Sequence, residues 1–197
     1  MAGAGGTHWR VFCALELPAG LRERAAGRAA RLREAFPHVR AAWERPEKLH
    51  LTLKFVGEIE PSRVADLSAA AGRAAAGGEP FELTVADAGA FPSHGPPRVL
   101  WLGVQDPSGR LARLHRRLED ECAAAGFDRE ARAFRPHLTL ARLREPRAAH
   151  ELAALHRETP FEPQTFNVNE LIIMRSELGP GGSRYTPVSK HKMEAGG

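Results

Sequence analysis

Cys13 and Cys122 are the only cysteines in the chain, too few for a disulfide framework or a cysteine-rich metal site. Cys13 lies in an apolar run and Cys122 on the apolar side of a helical stripe, so both are read as core packing. No hydrophobic run reaches the roughly 18–20 residues that a bilayer-crossing helix needs. Residues 1–7 are rich in Gly and Ala, without a basic segment or an apolar core, which argues against a signal peptide. A cytoplasmic protein with no membrane partner is expected. Several chemical signatures are also missing. There is no His-Glu-x-x-His helix and no Cys-x-x-Cys pair, so no metal site is expected. There is no Gly-x-x-x-x-Gly-Lys loop, so no ATP-dependent step has a place. Residues 179–182 are Gly-rich but lack the following Lys-Ser/Thr, and a hairpin turn explains them.

What is present is an ordinary globular composition, 43% hydrophobic and 26% charged, with a net charge of +4. Arg far outnumbers Lys. Arg suits phosphate through its bidentate fork, although the excess alone is equally compatible with genome composition. The 197 residues suffice for one domain of two small lobes.

The chain divides into strand-like and helical stretches. Trp9 to Leu17 is an apolar strand ended by Pro18. Leu21, Ala25, Ala29, Leu32 and Phe36 recur at helical spacing, with Arg22, Arg24, Arg28, Arg31 and Arg33 on the outer, solvated side. Val39 to Trp43 is a short strand. Pro61 opens a helix carrying Val64, Leu67 and Ala71. Phe81 to Val85 is a strand, bulged if it continues to Phe91, and Arg98 to Val104 is another. Asp106-Pro107-Ser108 caps a helix with Leu111, Leu114, Leu118 and Cys122 on one face, stopped by Gly126. Ala148 to Arg157 reads as a short helix, Phe161 to Met174 as mostly strand, and Tyr185 to Val188 as a returning strand. Residues 1–7 and 190–197 are expected to be flexible ends.

Within this order one tetrapeptide occurs twice. His50-Leu51-Thr52-Leu53 returns as His137-Leu138-Thr139-Leu140, an interval of 137 − 50 = 87 residues. Alternation puts His50, Thr52 and Lys54 on one strand face and Leu51, Leu53 and Phe55 on the other. The coarse element order around each copy repeats roughly once. This predicts an α+β protein with two antiparallel sheets, their histidine strands facing across a cleft. Cleaving a phosphodiester needs one group to take a proton and another to give one. Two imidazoles, with ordinary pKa near ~6.5, can supply both. Thr52 and Thr139 point the same way and can hydrogen-bond phosphate oxygen, and Arg142 can neutralise its charge. Strict alternation points Phe55 and Arg142 away from the cleft; only a bulge turns them back. The remaining histidines, His8, His38, His94, His115, His150, His156 and His191, lack this context and read as surface or core residues.

The twin motifs resemble the 2H phosphoesterase superfamily, and within it the RNA 2′,3′-cyclic phosphodiesterases, also called 2′-5′ RNA ligase-like proteins. The resemblance runs from Trp9 to Val188. It rests on Arg10-Val-Phe-Cys-Ala-Leu-Glu-Leu-Pro18, His50-x-Thr52-Leu53-x-Phe55-x-Gly57 and Arg98-Val-Leu-Trp-Leu-Gly-Val104. Arg132-x-Phe134-x-Pro136-His137-x-Thr139-Leu140-Ala141-Arg142 and the segment from Ser176 to Tyr185 complete it. It implies a single bilobal, pseudo-two-fold domain over 1–197, with helices outside a central cleft. It also implies metal-free hydrolysis of the 2′,3′-cyclic phosphate end of an RNA or oligonucleotide to a 2′-phosphate; a monomer without cofactors is expected. His50 is then the proton donor to the leaving 3′-oxygen and His137 the acceptor that activates water. Arg142 falls on the phosphate and Phe55 beside the nucleotide. From the residues alone the two histidines cannot be assigned to acid and base. Ligation of 2′-5′ ends, hydrolysis of a small cyclic nucleotide and non-catalytic RNA or nucleotide binding remain open alternatives.

Overall fold

Alternating and apolar runs become nine strands, and the helical stripes four helices, among residues 8–145, 149–180 and 182–194, which the computed structural model describes. One antiparallel sheet is built from β1 (Trp9–Glu16), β3 (His50–Ile59), β8 (Glu170–Gly179) and β9 (Gly182–Lys192), in the order β3-β1-β8-β9. The other contains β2 (Ala41–Trp43), β4 (Phe81–Phe91), β5 (Val99–Gln105), β6 (His137–Leu143) and β7 (Gln164–Val168), in the order β2-β6-β5-β4-β7. With β2 set aside as an extra edge, β3-β1-β8-β9 corresponds in order to β6-β5-β4-β7. The two sheets thus repeat one order, each drawing strands from both halves of the chain and each setting its histidine strand beside β1 or β5.

The helices are α1 (Ala19–Ala35), α2 (Val64–Ala76), α3 (Arg110–Ala124) and α4 (His150–Glu158). Their apolar stripes are those expected: Leu21, Ala25, Ala29 and Leu32 are buried in α1, and Leu111, Leu114, Leu118 and Cys122 in α3. Asp106 caps α3 by accepting from the N–H groups of Arg110 and Ala112, each at 3.1 Å. Gly126, at φ 81°, ends that helix in the left-handed region. The helices exchange lobes. α1 follows β1 but packs on β6, with α4 on β4, whereas α3 follows β5 but packs on β3 beside α2. One continuous apolar core runs through both halves, with Leu51, Leu67, Leu100, Leu118, Leu138 and Leu171 almost wholly enclosed.

Three expectations change. Phe161 to Met174 is two strands in different sheets, since β7 pairs with β4, and β8, beginning directly after Asn169, pairs with β1. Residues 190–194 are ordered structure rather than a frayed end: β9 runs to Lys192 and Met193 is buried. Residues 1–7 and 195–197 lie outside those described. Arg28 does not sit on a solvated face; it is 2% exposed, and its guanidinium donates to the carbonyls of His156, Thr159 and Pro160. The expected bulge in β4 is present, at Asp87 between Ala86 and Ala88.

Candidate active site

Each motif histidine stands at the first residue of its strand, just after an irregular stretch. That position leaves the carbonyl two residues upstream free of the sheet ladder, and the imidazole uses it. His50 Nδ1 lies 2.6 Å from the Lys48 carbonyl, and His137 Nδ1 lies 2.6 Å from that of Arg135. A carbonyl only accepts, so Nδ1 carries the hydrogen in both rings and Nε2 is left as the working nitrogen. His50 Nε2 is 3.0 Å from the Thr52 hydroxyl, which donates to the neutral ring and accepts from the imidazolium. The repeated tetrapeptide does not include these two carbonyls. Their one trace in the sequence is a common offset, two residues before each His.

The strand faces depart from strict alternation at the same place in both motifs. Against β1, Cys13 pairs with Lys54 and Ala14 with Thr52, so Leu53 is an extra residue. Against β5, Leu100 pairs with Ala141 and Trp101 with Thr139, so Leu140 is extra. Each bulge reverses the phase beyond it. Leu53 and Lys54 are consecutively buried, as are Leu140 and Ala141. Phe55 and Arg142 therefore return to the face of His50 and His137. Phe55 is 44% exposed, not packed with Leu53, and Arg142 is exposed. Lys54, expected beside His50 and Thr52, is instead 2% exposed on the core side. Its ammonium donates to Glu119 Oε1 and Oε2 at 2.9 and 3.0 Å and to the Asp128 carbonyl at 2.7 Å.

β3 and β6 approach one another, so the two bulged faces open onto one cleft. On the first side the wall is aromatic. The Phe12 ring centroid is 4.8 Å from that of His50, 6.1 Å from Phe55 in a stacked pair and 5.1 Å from Tyr185 edge-on. Tyr185 also meets His50 edge-on at 5.3 Å. Phe12 belongs to a small apolar cluster with Ala14, Ile172 and Met174, on the sheet face opposite the main core. Neither Phe12 nor Tyr185 was marked by the repeat, because each stands on a strand that the motifs do not include. On the other side Phe91 lies edge-on to His137 at 5.1 Å and tilted against Trp101 at 5.2 Å. Trp101 lies flat over Gly89, where a Cβ would come within 2.1 Å of the ring, so only glycine admits it.

The electrostatics converge on Arg142. Among the described residues its side chain has no hydrogen bond or ion pair. Burial lowers the His50 pKa below the usual imidazole value, the Lys48 carbonyl opposes this, and the Arg142 charge lowers it further. Burial, the Arg135 carbonyl and Arg142 act in the same senses on His137. One guanidinium is thus within electrostatic reach of both rings, as an anion bound between them would require. Thr139 is half-buried beside Trp101, and its hydroxyl has no partner among the described residues. All six residues expected at the site lie on these two faces. No cluster of three or more metal-ligating side chains occurs among the described residues. Of the other histidines, His156 is core and His115 is stacked on Phe134, with ring centroids 4.0 Å apart.

Comparison with known proteins places this geometry among relatives. The 2'-5' RNA ligase superfamily model matches residues 15–180. The RNA 2',3'-cyclic phosphodiesterase of Methanothermobacter thermautotrophicus is 35% identical over 185 residues, 93% of this chain and 98% of the relative. The Escherichia coli enzyme of the same name is 33% identical, covering 92% of this chain and 94% of its own length. The crystal structure of E. coli LigT complexed with 3'-AMP matches with a TM-score of 0.74 at 30% identity, over 95% of this chain and 99% of the other. A Thermus thermophilus structure matches with a TM-score of 0.76 at 27% identity, over 93% and 97%.

Proposed function

From the premise that this chain belongs to the 2'-5' RNA ligase superfamily, we propose that it hydrolyses the 2′,3′-cyclic phosphodiester end of RNA to a 2′-phosphomonoester. Relatives named RNA 2',3'-cyclic phosphodiesterase support the reaction class. The observation that carries the reading for these residues is the matched pair of imidazoles. Each is fixed through Nδ1, and both lie within reach of one unpaired guanidinium.

In this mechanism Arg142 and the hydroxyls of Thr52 and Thr139 hold the non-bridging oxygens of the cyclic phosphate. A water oxygen attacks phosphorus while His137 Nε2 takes its proton. The P–O3′ bond breaks, and the proton on His50 Nε2 passes to the 3′-oxygen. The products are a free 3′-hydroxyl and a 2′-phosphate, with one proton taken up and one given. General acid and base are each worth ~10²–10⁴ in rate. The direction of transfer follows the family resemblance, since the two sites are near mirror copies. Phe55 lies beside the terminal nucleotide, its ring stacked with Phe12 at 6.1 Å and covered by the Arg10 guanidinium, 5.0 Å from its centroid, which the base displaces.

Both histidines come from one chain, which supports a monomer, and the buried free thiols of Cys13 and Cys122 fit the reducing cytoplasm. Among the described residues no helix is long and apolar enough to cross a membrane. The test is an oligonucleotide ending in a 2′,3′-cyclic phosphate, with phosphate release by phosphatase as readout. His50→Ala and His137→Ala should each remove most of the turnover, and the double variant should be little worse, because the groups act as a unit. Turnover should persist in EDTA. Full activity in either single variant, or loss in EDTA that zinc or magnesium restores, would count against the mechanism.

A further inference from the structure

A cavity is lined by residues 43–46, the stretch that leads into the turn holding His50, and we propose that it receives the nucleotide upstream of the cyclic-phosphate end, which makes the substrate an RNA chain rather than a cyclic mononucleotide. This rests on the function proposed above. The cavity, about 300 Å³, lies between α1 and the segment that leads from β2 to His50, with Ala29, Ala30, Arg33, Trp43, Glu44 and Arg45 in its lining. Its volume is at the lower end of small-ligand sites and suits one nucleoside, not a folded partner.

Its chemistry is that of a nucleotide site. Ala29 and Ala30 offer no bulk, and the half-buried Trp43 gives an aromatic wall. Base–aromatic stacking has no strong sequence requirement, since every base has a π-face. Arg33 and Arg45 have no hydrogen bond or ion pair through their side chains among the described residues. Unpaired guanidinium groups beside a cavity match a phosphodiester. The neighbouring arginines of α1 differ: Arg24 pairs with Glu162 at 2.8 Å, and Arg28 is buried in the fold. A larger cavity, about 560 Å³, lies beside that Arg24–Glu162 pair and also carries Glu23, so its charge is already balanced.

Continuity with the cleft comes through Glu44. It lines the cavity, and burial raises its carboxyl pKa while the charges of Arg142 and Lys48 oppose that rise; its own charge acts in turn on Tyr185. The same short segment continues through a 3-10 turn, Pro46–Lys48, whose last carbonyl anchors His50. Across the β2–β6 ladder Ala42 stands opposite Arg142 and Trp43 opposite Ala141. Ala42 thus shares the Arg142 face and Trp43 the opposite one, so a strand held by its terminal phosphate at Arg142 has to pass over the edge strand β2 to reach the cavity.

The experiment compares 2′,3′-cyclic AMP with a triadenylate ending in a 2′,3′-cyclic phosphate, using the wild type and Arg33→Glu/Arg45→Glu. The wild type should favour the trinucleotide in kcat/KM by about tenfold or more, mostly through KM, equivalent to ~1.4 kcal/mol. The double variant should lose that preference while its turnover of cyclic AMP changes less than about threefold. The dependence of log(kcat/KM) on log salt should flatten by about 0.7 for each phosphate that the protein no longer neutralises, a change no purely structural role produces. Arg33→Gln/Arg45→Gln covers the case in which charge reversal prevents folding. Equal use of both substrates by the wild type, or a preference that survives in the variants, overturns the inference. If neither substrate is hydrolysed, the proposed function fails separately. The subsite is then judged by fluorescence anisotropy of a labelled triadenylate bearing a 3′-phosphate. Tenfold weaker binding by the variants supports it, and unchanged binding overturns it.

Discussion

Phe55 and Arg142 stand five residues after His50 and His137, and their opposite chemistries set different experiments. Arg142 has no partner among the described residues, so its loss removes little from the fold. Arg142→Ala should lower kcat/KM by about 10²–10³, the range for losing one aimed donor to a developing charge, with the melting temperature unchanged. Lys at this position should restore part, as a point charge without the fork. Phe55 is 44% exposed, which argues against a core role and fits the proposed contact with substrate. Phe55→Ala should raise KM by about fivefold to a hundredfold, from ~1–3 kcal/mol of stacking. A lower melting temperature with unchanged kinetics would return Phe55 to a structural role. The histidines also set a pH dependence. The base must be neutral, so activity is lost as pH falls through its pKa. The acid must be protonated, so activity is lost as pH rises through its own. Both values are lowered, mainly by burial. Both limbs of kcat/KM should therefore lie at lower pH than for two exposed imidazoles. In Arg142→Ala the residual profile should move to higher pH, because a cation that favours neutral rings is gone. A profile unmoved by that substitution would separate Arg142 from the histidines.

At the scale of the element, the two bulges re-aim the site. One extra residue turns Phe55 and Arg142 into the cleft and forces the side chain before each into the core. In β6 that side chain is Ala141, which the core accepts; in β3 it is Lys54, which needs partners. Glu119 of α3 supplies the carboxylate, and also accepts from the Glu130 N–H at 3.1 Å. The bulge in β3 is thus coupled to α3 and to the stretch leading to His137. Lys54→Met alone should destabilise by ~3–5 kcal/mol, because Glu119 is left charged and enclosed. Adding Glu119→Gln should recover part of the loss, since an amide oxygen still accepts from Glu130. Purely additive losses in denaturant melts of the double variant would show that the two groups do not act as a pair.

For the whole molecule, α1 and α3 each leave one sheet to pack on the other, so neither lobe completes its core alone. His156 belongs to this interlock. It is fully buried in α4, receives Arg28 Nε of α1 at Nδ1, 3.4 Å away, and donates from Nε2 to the Trp101 carbonyl of β5 at 2.9 Å. Burial lowers its pKa from 6.5 to about 4, with the Trp101 carbonyl opposing and Arg28 assisting. Between those values the unfolded chain binds a proton that the folded one refuses. The contribution is therefore full above pH 6.5 and is lost as pH falls towards 4, amounting to about 3 kcal/mol. His156→Gln should flatten that part of the stability–pH curve; an unchanged slope would assign it to other groups. The amino-acid sequence by itself determined the helices, most strands and the twin motifs 87 residues apart. Periodicity and repetition are properties of one segment, and they survive any packing. Tertiary structure decided what depends on a neighbour. A bulge exists only against a partner strand, so alternation misplaced Lys54 and Phe55. The division of Phe161 to Met174 between two sheets and the burial of Arg28 and Met193 follow from what covers them. The carbonyls that hold His50 and His137 became visible only when the chain before each strand was seen to turn.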